Sequence, residues 1–296
     1  MIRINPKEIS PVKLQGYLQS SVGPRPIAFA STMDKNRTPN LSPFSFFNVF
    51  SSNPPILVFS PARRVRDNTI KHTLINCEAT REVVINVVNY DIVQQMSLSS
   101  TEYPDGVNEF LKSGLTMLPS EIVKPFRVAE SPVQFECKVN DIISLGTEGG
   151  AGNLIICEVV QMHISEDILD ANGMIDQHKI DLVSRMGANW YSRSNQGLFE
   201  IPKPLATMGI GVDQIPDEIR NSPILTGTNL GRLGNVMELP SAADLEEFAK
   251  SDEIQEMRIR FKNDKDSWLD HLHLRAKEEL ETGDAARAWK YLLQKQ

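Results

Sequence analysis

The sequence lacks the features of membrane proteins and of disulfide-rich proteins. No apolar run approaches the roughly 20 residues that span a bilayer, and the opening stretch MIRINPKEIS contains no apolar segment of the kind found in secretory signals. Only three cysteines occur among 296 residues, and none is spaced as CxxC. An odd number of dispersed cysteines indicates reduced thiols rather than a disulfide framework. We therefore expect a cytoplasmic protein with no membrane partner.

Positive charge is also scarce. Lys and Arg total 31 against 38 Asp and Glu, which gives a net charge of −7 and a pI near 5.4. A chain with this balance has no global attraction for nucleic acid, so any basic binding surface would have to be local. We expect no nucleic-acid partner.

Common catalytic and metal-binding motifs are missing as well. The sequence has no Walker-type phosphate loop, no HExxH and no GxSxG. His72, His163 and His178 lack Cys or carboxylate neighbours at metal-ligand spacing. His271 and His273 lie about 200° apart around one predicted helix and cannot both bind one metal from it. We therefore predict no metal site. The glycine-rich stretch at residues 146–152 lies between two strand patterns with no helix after it. That context favours a hairpin loop over a dinucleotide-binding turn.

Charge density separates two parts of the chain near residue 240. Charged side chains make up 23 of the 56 residues 241–296 but only 46 of the 240 residues before them. β-branched runs also become rare after this point. We predict a core domain at residues 1–239 and a helical C-terminal extension at residues 240–296.

The extension carries clear helix signals. Ser241 with Asp244 resembles a capping box, and Trp268 begins an apolar series at three-to-four spacing that Gly283 ends. A last short helix is predicted over residues 285–293. Because an amphipathic helix must bury its apolar face, we expect this face to pack against the core domain or a partner subunit.

The first 240 residues have the periodicity of strands. Residues 133–140 alternate between apolar and polar side chains, which is typical of a half-buried strand. Short apolar runs bounded by turn residues predict buried strands at residues 27–30, 56–59, 83–88 and 154–160. Helices are predicted over residues 68–79 and 90–97. We predict a mainly β fold of antiparallel strands with peripheral helices, closed into a barrel because closure removes exposed edges.

Small hydroxyl side chains, prolines and aromatics concentrate between residues 23 and 60. The run contains GPRPIAFASTMD, NLSPFSFFN and NPPILVFS, and KHTLIN follows at residues 71–76. Hydroxyls and backbone N–H groups on turns can bind a phosphate, a lysine supplies positive charge, and phenylalanines supply flat apolar walls. This composition suits an anionic, planar, aromatic ligand. The alternative, which composition alone favours, is that these residues build only turns and core.

The order of these motifs resembles the flavin reductase-like family with the FMN-binding split barrel, including its flavoredoxin-type members. The similarity covers residues 20–205 and includes PRPIA-x-x-ST-x-D, N-x-S-P-F-S-x-F, PP-x-x-x-F-S and K-x-T-x-x-N, followed later by RMGANWY at residues 185–191. The resemblance implies an antiparallel FMN-binding split barrel of six or seven strands. It also implies a homodimer with FMN near the subunit interface.

The resemblance further implies which residues bind FMN. The matching positions are Arg25, Ser31, Thr32, Ser45, Phe46, Phe47, Asn48, Ser60, Lys71 and Thr73. Ser60, Lys71 and Thr73 would hold the phosphate end, and Arg25 would lie near the pyrimidine side of the flavin.

Two positions depart from the family pattern. His72 stands where the family commonly has Asp, which removes a carboxylate beside the phosphate site, and Ala188 replaces the second glycine of the late motif.

The implied activity is that of an NAD(P)H:flavin oxidoreductase, with NADH or NADPH as donor and flavin or another small electron acceptor. The flavin carries the redox step, so we predict no catalytic side chain. Two alternatives stay open. One is a non-enzymatic FMN electron carrier of the flavoredoxin kind, reduced by a protein partner, and the other is an FMN oxidase acting on a small amine. The sequence has no Rossmann fingerprint that would distinguish NADH from NADPH.

Overall fold

The computed structural model describes residues 1–104, 106–201 and 208–296, which separate into two compact units. Unit 1 is Met1–Phe199 and unit 2 is Glu200–Gln296. The helical unit therefore begins before the 239/240 boundary that charge density predicts. Within the described ranges, no helix is both long and apolar enough to cross a bilayer.

All the strands of the described chain belong to unit 1. They are β1 (Ala28–Met33), β2 (Pro39–Phe44), β3 (Phe47–Ser52), β4 (Pro55–Phe59), β5 (Glu82–Val87), β6 (Met117–Leu118), β7 (Arg127–Val128), β8 (Val133–Ser144), β9 (Asn153–Ile164), β10 (Val183–Arg185) and β11 (Tyr191–Arg193). Seven of them form one antiparallel sheet in the order β2-β1-β5-β8-β9-β4-β3, while β6 pairs with β7 and β10 with β11. Each strand predicted from the sequence overlaps a strand of this sheet.

The seven-stranded sheet is not closed. Strands β2 and β3 are its two edges, although only Ser45 and Phe46 separate them in the chain. The expectation of a closed barrel is therefore wrong. The Ser60 N–H donates to the Phe46 carbonyl at 2.8 Å, which extends the pairing of β3 with β4, and no ladder joins β2 to β3.

The helices differ between the units in number and length. Unit 1 has α1 (Pro11–Ser21), α2 (His72–Thr80), α3 (Val93–Leu98) and α4 (Glu109–Ser113); unit 2 has α5 (Asp217–Arg220), α6 (Gly227–Gly234), α7 (Ala242–Ala249), α8 (Asp252–Arg260), α9 (Lys265–Thr282) and α10 (Ala285–Leu292). Helix α2 begins four residues later than predicted. The reason is that Asn68 lies in the left-handed region at φ 57° and donates its N–H to the Arg64 carbonyl at 2.9 Å, which closes a turn.

Apolar side chains cover both faces of the sheet, which explains the short, fully buried strand patterns. On β1, Ala28 and Ala30 belong to one apolar cluster while Phe29 belongs to another on the opposite face. All three cysteines are buried, and none of them forms a disulfide bond. Burial raises the pKa of the Cys77 thiol to about 12, so this side chain behaves as a small apolar group.

Unit 2 has a hydrophobic core of its own, centred on Trp268, Leu272 and Trp289. The apolar face predicted to seek the core domain or a partner subunit is thus buried within this unit. Leu233 belongs to the same core, and its carbonyl accepts a hydrogen bond from Trp289 Nε1 at 3.1 Å. Because residues before position 240 share this core, they belong to the helical unit. The capping box at Ser241 and the end of α9 at Gly283 lie where the sequence predicts them.

A buried carboxylate fastens an irregular segment to the sheet. Glu136 on β8 is fully buried, and its oxygens accept backbone N–H bonds from Glu121 (2.8 Å), Ile122 (2.6 Å) and Val123 (3.0 Å). His163 Nε2 on β9 lies 2.7 Å from the same carboxylate. Burial opposes ionisation of Glu136, but the hydrogen bonds outweigh it and lower its pKa to about 2.

We expect Glu136→Gln to destabilise the sheet by about 3 kcal/mol at neutral pH, because an amide presents N–H donors to backbone donors. The folded pKa lies below the unfolded value of about 4.3. The stabilisation is therefore complete above that value and is lost as the pH falls towards 2. Native-state hydrogen exchange of the β8 and β9 amides measures both effects.

The matched control is Glu130→Gln, since Glu130 is exposed and also accepts a backbone N–H, from Thr116. It should change the free energy of opening by less than about 0.5 kcal/mol. Equal effects of the two substitutions would contradict the role of Glu136.

Candidate functional site

A cavity of about 450 Å³ opens in unit 1 beside the connection between β2 and β3. This volume lies within the range of small-molecule sites. The lining residues come from α1, the end of β2, the β2–β3 connection, the loop between β4 and α2, and the segment after α3: Gln15, Gln19, Ser42, Pro43, Phe44, Ser45, Phe46, Ser60, Ala62, Arg63, Arg64, Val65, Arg66, Lys71, Ser100 and Glu102. Four of the ten positions predicted to bind FMN are among them.

Lys71 supplies a half-buried positive charge to the cavity. It is the N-cap residue of α2, and no side chain caps that helix start. Its ammonium makes no hydrogen bond or ion pair within the described part of the chain. Burial lowers the pKa of Lys71, and the neighbouring Arg64 lowers it further. A desolvated ammonium beside another cation and a helix N-terminus favours an anionic ligand.

Ser60 follows β4 and presents a hydroxyl to the same cavity. Its Oγ accepts the backbone N–H of Asn153 at 3.0 Å, which leaves its own hydrogen available for donation. A Cβ at Gly152 would stand 2.7 Å from this Oγ. The chain therefore needs glycine at 152 for the β8–β9 loop to approach Ser60 this closely.

Ser45 and Phe46 form the wall contributed by the β2–β3 connection. The Phe46 side chain is 40% exposed, so a flat apolar surface faces open space beside the polar groups. Arg25 lies behind this wall, and its Nε is 3.4 Å from Ser45 Oγ. A planar aromatic ligand can pack on such a surface while polar groups bind its anionic end.

Arg25 itself does not line the cavity. Its guanidinium donates to the carbonyls of Gln19, Val22 and Met186, the last at 2.8 Å. Burial lowers the pKa of Arg25, and Arg185 lowers it further. The side chain thus ties the end of α1 to the segment after β10, whereas the sequence suggests a cation beside the flavin.

Ser31, Thr32 and Thr73 are buried and do not line the cavity, and Ser31 Oγ has no hydrogen-bond partner within the described chain. Thr32 Oγ1 accepts hydrogen bonds from the Asn40 and Asn76 amides at 3.2 and 3.1 Å. Asn40 also donates to Thr73 Oγ1 at 3.0 Å. This network links β1, β2 and α2, so these hydroxyls fix the position of the helix that carries Lys71.

Phe47 and Asn48 lie on the edge strand β3. Phe47 packs against the apolar cluster inside the sheet. Asn48 is exposed, and its Oδ1 accepts the N–H of Val49 at 2.8 Å. Neither residue lines the cavity in this single chain.

Sequence reasoning missed a group of arginines that contributes most of the cavity's charge. Arg63, Arg64 and Arg66 lie in the loop between β4 and α2, with Glu102 opposite. Arg64 Nε is 3.0 Å from a Glu102 oxygen, and Arg66 contacts the other oxygen. The signal was present as the basic run ARRVR at residues 62–66.

The glycine-rich loop at residues 146–152 supports this arginine loop. Arg63 donates its N–H to Ala151 at 2.8 Å and accepts the N–H of Gly150 at 2.9 Å. A Cβ at Gly149 would lie 3.0 Å from the carbonyl oxygens of Arg64 and Val65. The stretch is a hairpin loop, as predicted, and its glycines allow backbone to pack on backbone.

The arrangement offers binding groups but few groups for proton transfer. Among the described lining residues there is no histidine, and Glu102 is the one carboxylate, already paired with arginines. No set of three metal-ligating side chains converges anywhere in residues 1–104, 106–201 and 208–296. The site can hold a ligand with an anionic end and an aromatic body, and any redox step would belong to that ligand.

Known proteins share this architecture. Residues 21–181 match the flavin reductase like domain. An uncharacterized protein of Halalkalibacterium halodurans is 35% identical over 205 residues, which cover 69% of this chain and 97% of the relative. An uncharacterized protein of Aquifex aeolicus is 36% identical over 173 residues, covering 58% of this chain and 86% of that protein.

Solved structures give the same result for the fold. Nitrilotriacetate monooxygenase component B from Bacillus cereus is 28% identical, with a TM-score of 0.64 over 68% of this chain and 98% of that chain. Flavoredoxin of Desulfovibrio vulgaris has a TM-score of 0.53 over 62% of this chain and 93% of that one, at 20% identity. The family match, the open antiparallel sheet and a cavity suited to an anionic aromatic ligand agree. This chain therefore belongs to the flavin reductase-like family, whose fold is the split barrel and whose cofactor is a flavin.

Proposed function

We propose that this protein is an NAD(P)H-dependent flavin reductase that binds FMN in the cavity of unit 1. The observation that carries the proposal is the half-buried Lys71 ammonium, which has no carboxylate partner in the described chain and shares the cavity with the Ser60 hydroxyl. Phe46 offers an apolar surface in the same cavity. Together these groups suit a ligand that joins a phosphate to a flat ring system.

FMN carries one phosphate group, and the residues around Lys71 form one site for it. Lys71, Ser60 and the uncapped start of α2 would hold one phosphate group. Ser45 and Phe46 would contact the ring system. Thr32 and Thr73 would act indirectly, because their hydrogen bonds with the Asn40 and Asn76 amides stabilise the position of α2. The buried Ser31 Oγ has no hydrogen-bond partner within the described chain and takes no part in this network. Arg25 would hold Ser45 in place.

Bound FMN would supply the redox chemistry by accepting a hydride, that is, two electrons and one proton, from the nicotinamide ring. The chain's own residues bind and orient the reactants and exclude water from them. We assign no catalytic residue, because the flavin itself would carry the redox step and Lys71 is assigned to the phosphate. The electrons would pass on to free flavin or another small acceptor.

A non-enzymatic electron carrier is the second candidate. The helical unit supports it, because residues 200–296 contain 18 acidic and 13 basic side chains and would attract a basic redox partner. In that case a protein partner would reduce the flavin, and NAD(P)H would not.

Lys71→Met tests the phosphate contact. A charge-assisted hydrogen bond contributes about 1.5–3 kcal/mol, so we expect FMN affinity to fall by roughly 10- to 100-fold. Riboflavin has no phosphate, and its affinity should change by less than about twofold. Flavin fluorescence quenching measures both dissociation constants. Equal losses for the two ligands would refute the assignment of Lys71 to the phosphate.

Anaerobic stopped-flow mixing of the FMN-loaded protein with NADH or NADPH separates the two functions. A reductase should bleach the flavin absorbance within seconds, at a rate that saturates with nucleotide concentration. A carrier should stay oxidised with both nucleotides and yet be reduced by dithionite, which serves as the control for an intact flavin. Persistence of the oxidised spectrum would overturn the proposed activity.

We also propose that unit 1 forms a homodimer through its exposed apolar strand residues. Val49 and Phe50 on the edge strand β3 are 64% and 68% exposed, and Val160, Met162 and Ile164 on β9 are 38–44% exposed. A patch of exposed apolar side chains of this kind favours association. In a dimer the exposed residues of β3, including Asn48, would be covered by the partner.

Phe50→Glu is expected to shift the protein to monomers in sedimentation velocity, because the interface would bury an unpaired charge. Leu111→Glu is the matched control, since Leu111 is 73% exposed on α4 and lies outside the proposed patch. A wild-type protein that sediments as a monomer at high concentration would contradict the homodimer.

A further inference from the structure

The polar end of the cavity carries more positive charge than one phosphate group needs. Four cationic side chains line it, namely Arg63, Arg64, Arg66 and Lys71, against the single carboxylate of Glu102 among the described lining residues. A phosphate monoester brings close to two negative charges at neutral pH. Lys71 and one guanidinium would balance that group. Arg66 Nε also lies 3.0 Å from an oxygen of Asp67, which cancels one further charge. When Glu102 is released, the positive charge of one guanidinium remains, and a second anionic group can balance it.

Glu102 occupies the position such a group would take. One of its oxygens lies 3.0 Å from Arg64 Nε and the other contacts Arg66. The Arg64 side chain is 20% exposed and is also held by Thr69 Oγ1 at 2.8 Å and the Ile70 carbonyl at 3.2 Å. Arg66 is 67% exposed and Glu102 is 40% exposed. Arg64, which Thr69 and Ile70 hold in place, is thus linked through Glu102 to Arg66, and solvent reaches both Glu102 and Arg66.

Exchange of Glu102 for a phosphate is energetically favourable. Exposed ion pairs contribute little net stability, because water screens them and both side chains lose freedom. A phosphate presents more acceptor oxygens and more charge than a carboxylate, and guanidinium groups bind it in a bidentate manner. Arg64 and Arg66 would therefore lose little on releasing Glu102 and gain stronger contacts.

We propose that Arg64 and Arg66 form a second anion subsite, which binds a phosphate of the incoming nicotinamide nucleotide, and that Glu102 is its resting counter-ion. The proposal rests on the proposed reductase function and identifies the residues that recruit its donor. Lys71 holds the flavin phosphate, and the arginine pair nearer to solvent binds the nucleotide. Glu102 competes with the nucleotide for the arginines and so sets its affinity.

Isothermal titration of the FMN-loaded, full-length protein with NAD⁺ and NADP⁺ tests this without turnover. Arg66→Gln should weaken nucleotide binding about tenfold, the effect of losing one charge-assisted contact. Glu102→Gln should strengthen it by about threefold, because the competing charge is gone. FMN affinity, measured separately, should change by less than about twofold in both variants. Loss of NADP⁺ affinity alone would identify the 2′-phosphate as the group bound, and equal loss for both nucleotides would identify the diphosphate.

The matched control is Arg260→Gln, because Arg260 is an exposed arginine at the end of α8 in unit 2. It should leave all three affinities unchanged. The subsite proposal is overturned if neither nucleotide binds the wild-type protein, if the two cavity variants shift nucleotide affinity in the same direction, or if FMN affinity falls as much as nucleotide affinity. Nucleotide binding without flavin reduction in the stopped-flow experiment would refute the reductase function while leaving the subsite intact.

Discussion

The close approach of the β8–β9 loop to the chain after β4 is the contact on which the site depends. At Gly152 any side chain would collide with Ser60 Oγ, and at Gly149 it would collide with the carbonyls of Arg64 and Val65. Because backbone meets backbone there, the loop that carries the arginines has a fixed path. That path leads directly to Lys71 at the start of α2. The two glycines bind nothing themselves, yet the close packing of Ser60 and the arginine loop depends on them.

Positive charge dominates this site, and the repulsion between its cations is unfavourable when no anionic ligand is bound. The compensating groups are the carboxylates of Glu102 and Asp67 at the solvent side and neutral acceptors deeper in the loop, such as the Asn68 side chain, which accepts from Arg63 Nε at 2.6 Å. Neutral partners satisfy the hydrogen bonds of a guanidinium without cancelling its charge. The protein thus keeps a preorganised positive potential where an anionic cofactor is to bind.

The sequence predicted the regular elements well because periodicity is a local property. The alternation along β8 and the spacing from Trp268 to Gly283 depend only on which face is buried. The family motifs also located the cavity, since Ser45, Phe46, Ser60 and Lys71 all line it.

The hydrogen-bond partners of side chains and the domain boundary were harder to predict, because they depend on contacts between residues that are far apart in the chain. Arg25 binds the carbonyl of Met186, and no local pattern reveals that contact. The domain boundary failed for the same reason, since Leu233 joins a core formed by residues far downstream. The sheet's open edges were missed because closure is a property of the whole sheet rather than of any strand.

The separate core of unit 2 also determines what the protein's intrinsic fluorescence reports. Of the three tryptophans, Trp268 and Trp289 are buried in that core, and Trp190 in unit 1 is 76% exposed. An emission shift on denaturation would therefore follow melting of the helical unit, while the sheet around the cavity would remain nearly invisible to it. Two cores also allow two unfolding transitions, so a single midpoint from tryptophan emission would describe only one of them.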